Sequence, residues 1–194
     1  METEASSLLQ KAGAGSTQYQ SQGSMTVNNV NQYTSSNYKA YLKFVEEYEQ
    51  ELKNGSQANV DFINKIQHYL NNIDGEEFIG LQRKLEEADY SSDFLWANEL
   101  KESYTKKLTE LSLSQSSQKI HAYLLLKIYT FFNFCIKPAI IDGVPKEVIK
   151  KRIISDVIMP LTDIVDENNI LEFYDDDFLG MLYFLTGNCH LRWK

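Results

Sequence analysis

The sequence predicts an all-α bundle of about six to eight helices behind a short non-helical segment. Three observations carry this. Apolar residues from Tyr38 onward recur with helical spacing. Helix-ending signals such as Asn54-Gly55, Asp74-Gly75 and Gly187-Asn188 separate the periodic stretches. Residues 1–37, by contrast, are poor in large aliphatics and rich in Gly, Ser, Gln and Asn. The chain therefore divides into a segment over 1–37 and a helical domain over 38–194.

Taken in order, Tyr38, Tyr41, Leu42, Val45, Tyr48 and Leu52 mark one face of a first helix. Ile63, Ile66, Leu70 and Ile73 phase a second over Gln57 to Ile73, and Phe78, Leu81 and Leu85 a shorter third. Ser91, Ser92 or Asp93 can cap a fourth, whose apolar ladder is Trp96, Leu100, Tyr104, Leu108 and Leu111. Glu102 and Lys106 are spaced for an ion pair on it. The stretch SLSQSSQ reads as a linker into IHAYLLLKIYTFFNFCI, Ile120 to Ile136, which Pro138 is expected to close. Apolar on nearly every face, that segment reads as the most buried helix. Lys127 near its middle, with His121 and Asn133, leaves it short of the ~20 clean apolar residues of a membrane span. Pro145 opens a sixth helix through Ile149, Ile153 and Val157 to Pro160. The last begins at Asp175-Asp176-Asp177, where acidic residues suit a helix N-terminus.

Composition narrows function. In 194 residues, hydrophobic residues at 43% supply a core, while a net charge of −8 opposes a nucleic-acid surface. The basic cluster KEVIKKR, Lys146 to Arg152, reads as a solvated helix face. Cys135 and Cys189 do not form a disulfide framework, and METEASSLLQKAGAGS lacks the pattern of a signal peptide, so the expected location is the cytoplasm. Phosphate-binding loops, nucleophile elbows and zinc-ligand spacings do not occur. His68, His121 and His190 lie beside different apolar patches. Cys189-His190 is an adjacent pair, and sequence neighbours seldom face each other as nucleophile and base do. The expectation is no enzyme, metal or cofactor; a Cys189/His190-dependent hydrolase is the lesser alternative.

The positive signals stand near the two ends. Between Ala12 and Tyr38 there is no Asp, Glu, Lys or Arg. Within it, Gln18, Tyr19, Gln20, Met25, Val27 and Asn28 alternate in two short runs around Gly23, a hairpin-like or arch-like pattern. Uncharged, proline-free strands with Gln and Asn suit stacking, so the segment reads as an assembly element, against the plainer reading of a flexible tail. Near the other end, GMLYFLTGNCHLRWK supports two readings. It is either a helix sealing the core or a docking surface of Tyr183, Asn188, His190, Arg192 and Trp193, since Trp and Arg are favoured anchors.

Four stretches carry a family resemblance: FIGLQRKLEEA (Phe78 to Ala88), ANELKESYTKKL (Ala97 to Leu108), LSQSSQKIHAYLL (Leu113 to Leu125) and GMLYFLTGNCHLRW (Gly180 to Trp193). Together they resemble a C-terminal domain of prokaryotic ABC-three-component conflict systems. The resemblance spans the chain from about Tyr38, with LTGNCHLRW its most specific part, and the N-terminal element is similar to segments preceding such domains. It implies an ABC-type ATPase of the structural-maintenance or DNA-repair type, a small middle component and an effector. The helical domain would couple effector to ATPase in antiphage defence. An effector domain, often a nuclease, precedes many such modules; here the short β-like segment stands in that place. The resulting expectation is a stand-alone adaptor or oligomerising subunit, with protein partners, a homo-oligomer among the options, and neither nucleic acid nor membrane. A self-assembling structural protein is the alternative.

Overall fold

The computed structural model describes residues 30–54, 64–71, 80–111, 114–165 and 168–194. All regular structure in them is helical. The elements are α1 (Val30–Asn54), α2 (Asn64–Leu70), α3 (Gly80–Glu87), α4 (Phe94–Leu111), α5 (Gln115–Phe131), α6 (Lys137–Ile141), α7 (Lys146–Ile153), α8 (Met159–Val165) and α9 (Asp175–Gly187). The proposed assembly residues Gln18, Tyr19, Gln20, Gly23, Met25, Val27 and Asn28 lie outside the described residues. So do the expected outer turns of the second helix and Phe78.

The centre of the bundle is α9, not the Ile120–Ile136 helix. Every residue from Phe178 to Gly187 is buried, and α9 packs on α4, α3, α5 and α8. It lies close against α4 at Gly180, where an added Cβ would lie 2.6 Å from the Leu100 carbonyl oxygen and 2.7 Å from Tyr104 Cβ. A side chain of any size would push α4 away, so glycine sets the spacing between these two helices. α5 is instead two-sided. Ile120, Leu124, Leu125 and Ile128 are buried, whereas Leu126 and Tyr129 face outward and Phe134, beyond its end, is 79% exposed. Apolar residues on every face identify a strongly apolar helix; which faces are covered depends on the neighbours. α1 covers the first half through Glu47–Lys119 at 2.7 Å, Glu51 to the Ser114 and Ser116 hydroxyls at 2.6 Å each, and the Phe44–Tyr123 ring contact.

SLSQSSQ is largely the first turn of α5 rather than a linker. Ser114 caps it by accepting from the Ser117 amide, and Ser116, Ser117 and Gln118 are buried in the helix. Nor do Pro138 and Pro160 end their helices. Each follows a five-residue π turn, Phe132–Ile136 and Ile154–Ile158, and sits second in the next helix. The Lys137 and Met159 amides bond five residues back, to Phe132 and Ile154. Widening the coil before a proline eases the clash of its ring with the preceding turn, and its missing N–H costs little in a first turn. The first rod therefore runs from Gln115 to Ile141, long and apolar enough by length and composition to cross a membrane. That differs from the expectation, drawn from Lys127, His121 and Asn133, that it falls short: counted over the longer rod, the mean hydropathy is high enough despite them, and the rod's inner face packs into the bundle.

Smaller differences have similar causes. α1 begins at Val30, inside the segment read as non-helical, and Leu52 is exposed. On α4, Ala97 joins Leu100, Tyr104 and Leu108 in the core while Trp96 is 49% exposed. Ser91–Asp93 form a 3₁₀ turn leading into that helix. Lys106 pairs with Glu110, and Glu102 with Lys101, so the expected Glu102–Lys106 pair is not made.

Candidate docking pocket

The segment after α9 is shaped by its helix stop. The left-handed residue is Cys189, φ 66°, two positions beyond Gly187. The His190 amide donates to the Leu185 carbonyl at 2.9 Å and the Cys189 amide to the Thr186 carbonyl at 3.2 Å. These crossed bonds satisfy the last carbonyls and reverse the chain. Lys84, almost fully buried on α3, adds an ammonium bond to the Thr186 carbonyl at 2.5 Å. Burial pushes the pKa of this lysine down, while the helix C-terminus it caps favours a cation.

Leu191–Lys194 then fold back over the bundle. Trp193 is 3% exposed; its Nε1–H donates to the Thr186 hydroxyl at 3.1 Å, which itself donates to the Leu182 carbonyl at 2.9 Å. The indole lies parallel to Tyr183 and meets Tyr90 and Phe132 at 5.1 and 5.3 Å between ring centres. Lys194 pairs with Glu87 at 2.8 Å.

Beside this fold-back lies a pocket of about 200 Å³, lined by Tyr90, Trp96, Ile153, Ile154, Leu179, Tyr183 and Trp193, with Asp93 and Lys150. Trp96 meets Tyr183 edge-on at 6.0 Å. Asp93 and Lys150 pair at 2.9 Å, and Lys146 pairs with Asp89 and stands 5.7 Å over the Tyr90 ring. Both π turns serve this place: Ile154 begins one, and Phe132, which begins the other, supports Trp193. A larger recess of about 430 Å³ between α3, α4 and the end of α9 is shallow and edged by Gln82, Arg83, Glu86 and Lys101.

Of the five predicted docking residues, the structure brings Tyr183 and Trp193 together at the smaller pocket. Asn188 and His190 point elsewhere, to the end of α2. The Asn188 amide donates to the Tyr69 carbonyl at 3.0 Å, and His190 Nε2 lies 3.1 Å from the Asn71 carbonyl. Arg192 is exposed. The pocket also uses Tyr90, Asp93, Lys150, Ile153, Ile154 and Leu179, which the sequence did not single out as functional, and Trp96, read there as core. Four residues before Leu100, Trp96 falls at the edge of the helical arc that Ala97, Leu100, Tyr104 and Leu108 share, and that edge position was the signal.

The lesser, catalytic pairing has a different geometry. The His190 ring packs on His68 and Tyr69 at 5.1 and 5.3 Å. Burial, with His68 beside it, lowers its pKa. Lys84 is the charged neighbour of the Cys189 thiol. The aspartates of α9 act as the dipole argument predicts: Asp177 accepts from the Tyr174 amide and from Lys107, each at 2.9 Å, and Asp175 from Thr162 at 2.9 Å. Among the described residues no three His, Cys, Asp or Glu side chains converge as metal ligands.

Residues 80–193 match the model of C-terminal domain 9 of the ABC-three-component systems. The chain belongs to this family. The match holds α3 to α9, both π turns and the whole pocket, and begins later than the Tyr38 onset the resemblance suggested. No curated protein and no solved structure matches the chain.

Proposed function

We propose that this ABC-three-component domain is a non-enzymatic adaptor, coupling an effector to an ABC-type ATPase in bacterial cytoplasmic defence. One observation carries the reading: an aromatic-walled pocket open to solvent lies within the family-matched region, against the buried core. Aromatic anchors seated in such pockets dominate protein interfaces. Trp96 and Ile154, at 49% and 43% exposure, are the side chains such a partner would cover. Assembly through residues 15–29 belongs to the same proposal, with stacked copies as its alternative form.

Co-expression with the ATPase and middle component of the same system tests it. Stable co-purification that Trp96→Ala abolishes supports the adaptor role. A chain that purifies alone beside both components, or that turns over nucleotide or nucleic acid by itself, contradicts it.

A further inference from the structure

We propose that the pocket takes one uncharged aromatic side chain with a polar edge, the ring of a tryptophan or tyrosine on a protein partner; this rests on the docking reading above. Size comes first. The pocket, at about 200 Å³, is smaller than the ~300–1,000 Å³ of small-molecule sites and larger than the ~150 Å³ apolar cavity that admits benzene. It accommodates one ring rather than a cofactor.

Charge comes second. The two ionic side chains in the lining are matched to each other, Lys150 holding Asp93, and beside them Lys146 holds Asp89, with Glu147 the further charge near Tyr90. Lys146 also stands over Tyr90, so a partner's cation would compete with one already there. A partner's carboxylate would have to share the Lys150 ammonium with Asp93, whose like charge opposes it. A neutral group disturbs neither pair.

Polarity comes third. The Tyr90 and Tyr183 hydroxyls make no hydrogen bond among the described residues. Burial pushes the Tyr183 pKa upward, which keeps its hydroxyl protonated. With Asp93 and Lys150 paired to each other, the two tyrosines are the lining residues whose oxygens are left to receive an indole N–H or a phenol O–H, which a phenylalanine ring cannot supply.

The test titrates the full chain, labelled with ¹⁵N, with indole, toluene, benzoate and tetramethylammonium. Indole should saturate with a dissociation constant of about 1 mM, shifting the Trp96 and Trp193 indole signals, with toluene several-fold weaker and both ions weaker still. Ile154→Trp, at a half-exposed rim position, should fill the pocket and weaken indole at least tenfold while leaving the rest of the spectrum in place. Preference for either ion, or for toluene over indole, overturns the neutral polar-edged occupant and leaves docking at the pocket standing. If no probe shifts the two indoles and Ile154→Trp leaves the ATPase complex intact, the docking reading falls with it.

Discussion

Trp193 Nε1 donates to Thr186 Oγ1 at 3.1 Å, joining the folded-back tail to the last turn of α9, the helix at the centre of the core. The bond is buried at both ends. Thr186→Val would leave the indole N–H without a partner at a cost of about 1–3 kcal/mol. Trp193→Ala would remove an indole packed against Tyr90, Phe132 and Tyr183 and cost about 3–5 kcal/mol. Urea unfolding followed by helical circular dichroism checks both; losses below 0.5 kcal/mol would mean that the tail does not seal the bundle.

Gly180→Ala should destabilise by about 1–3 kcal/mol through overpacking, because its Cβ meets α4 backbone rather than a movable side-chain end. A thermal midpoint equal to that of the parent would show that α4 and α9 can separate freely.

Cys189 holds a left-handed conformation that costs a non-glycine residue about 1–2 kcal/mol. Cys189→Gly should therefore keep or raise the melting temperature, whereas the β-branched Cys189→Val should lower it. A large loss in the glycine variant would assign the thiol a packing role greater than the backbone strain.

His121 gives a pH signature. Its Nδ1 lies 3.1 Å from the Tyr104 hydroxyl, and burial, with Lys107 nearby, pushes its pKa down to about 3. Between pH ~6.5 and ~3 the unfolded chain binds a proton that the native chain refuses. Stability contributed by neutral His121 is therefore complete above pH ~6.5 and falls toward acid, by at most about 1.4 kcal/mol per pH unit. His121→Gln should flatten the slope between pH 6.5 and 5, above most carboxylate titrations. An unchanged slope would place the acid sensitivity elsewhere.

Much of the helical order was legible because amphipathic spacing survives in single helices: Tyr41 and Val45, Leu81 and Leu85, and Leu100, Tyr104 and Leu108 are buried as their periods require. The prolines misled because a proline rule judges local α geometry, and the π turns before Pro138 and Pro160 absorb the conflict. The Gly187-Asn188 stop was legible, since α9 ends at Gly187, but the left-handed residue that reverses the chain is Cys189. The ranking of α5 above α9 failed because the deciding feature, Gly180 admitting α4, is a contact between distant segments. For the same reason, Tyr183 and Trp193 were readable as a pair of interest, but their joining with Trp96, Lys150 and Ile154 was not.

Docking at the pocket is tested by the affinity of the purified chain for the ATPase component of its own system, measured for the parent, Trp96→Ala and Phe134→Ala. Phe134 is the more exposed ring, at 79% against 49%, and lies on the outward face of the first rod. Trp96→Ala should weaken binding at least tenfold, as loss of an anchor-pocket wall does, while Phe134→Ala should change it less than twofold. Full affinity in Trp96→Ala together with loss in Phe134→Ala would contradict docking at the pocket and move the interface to the outward face of the rod.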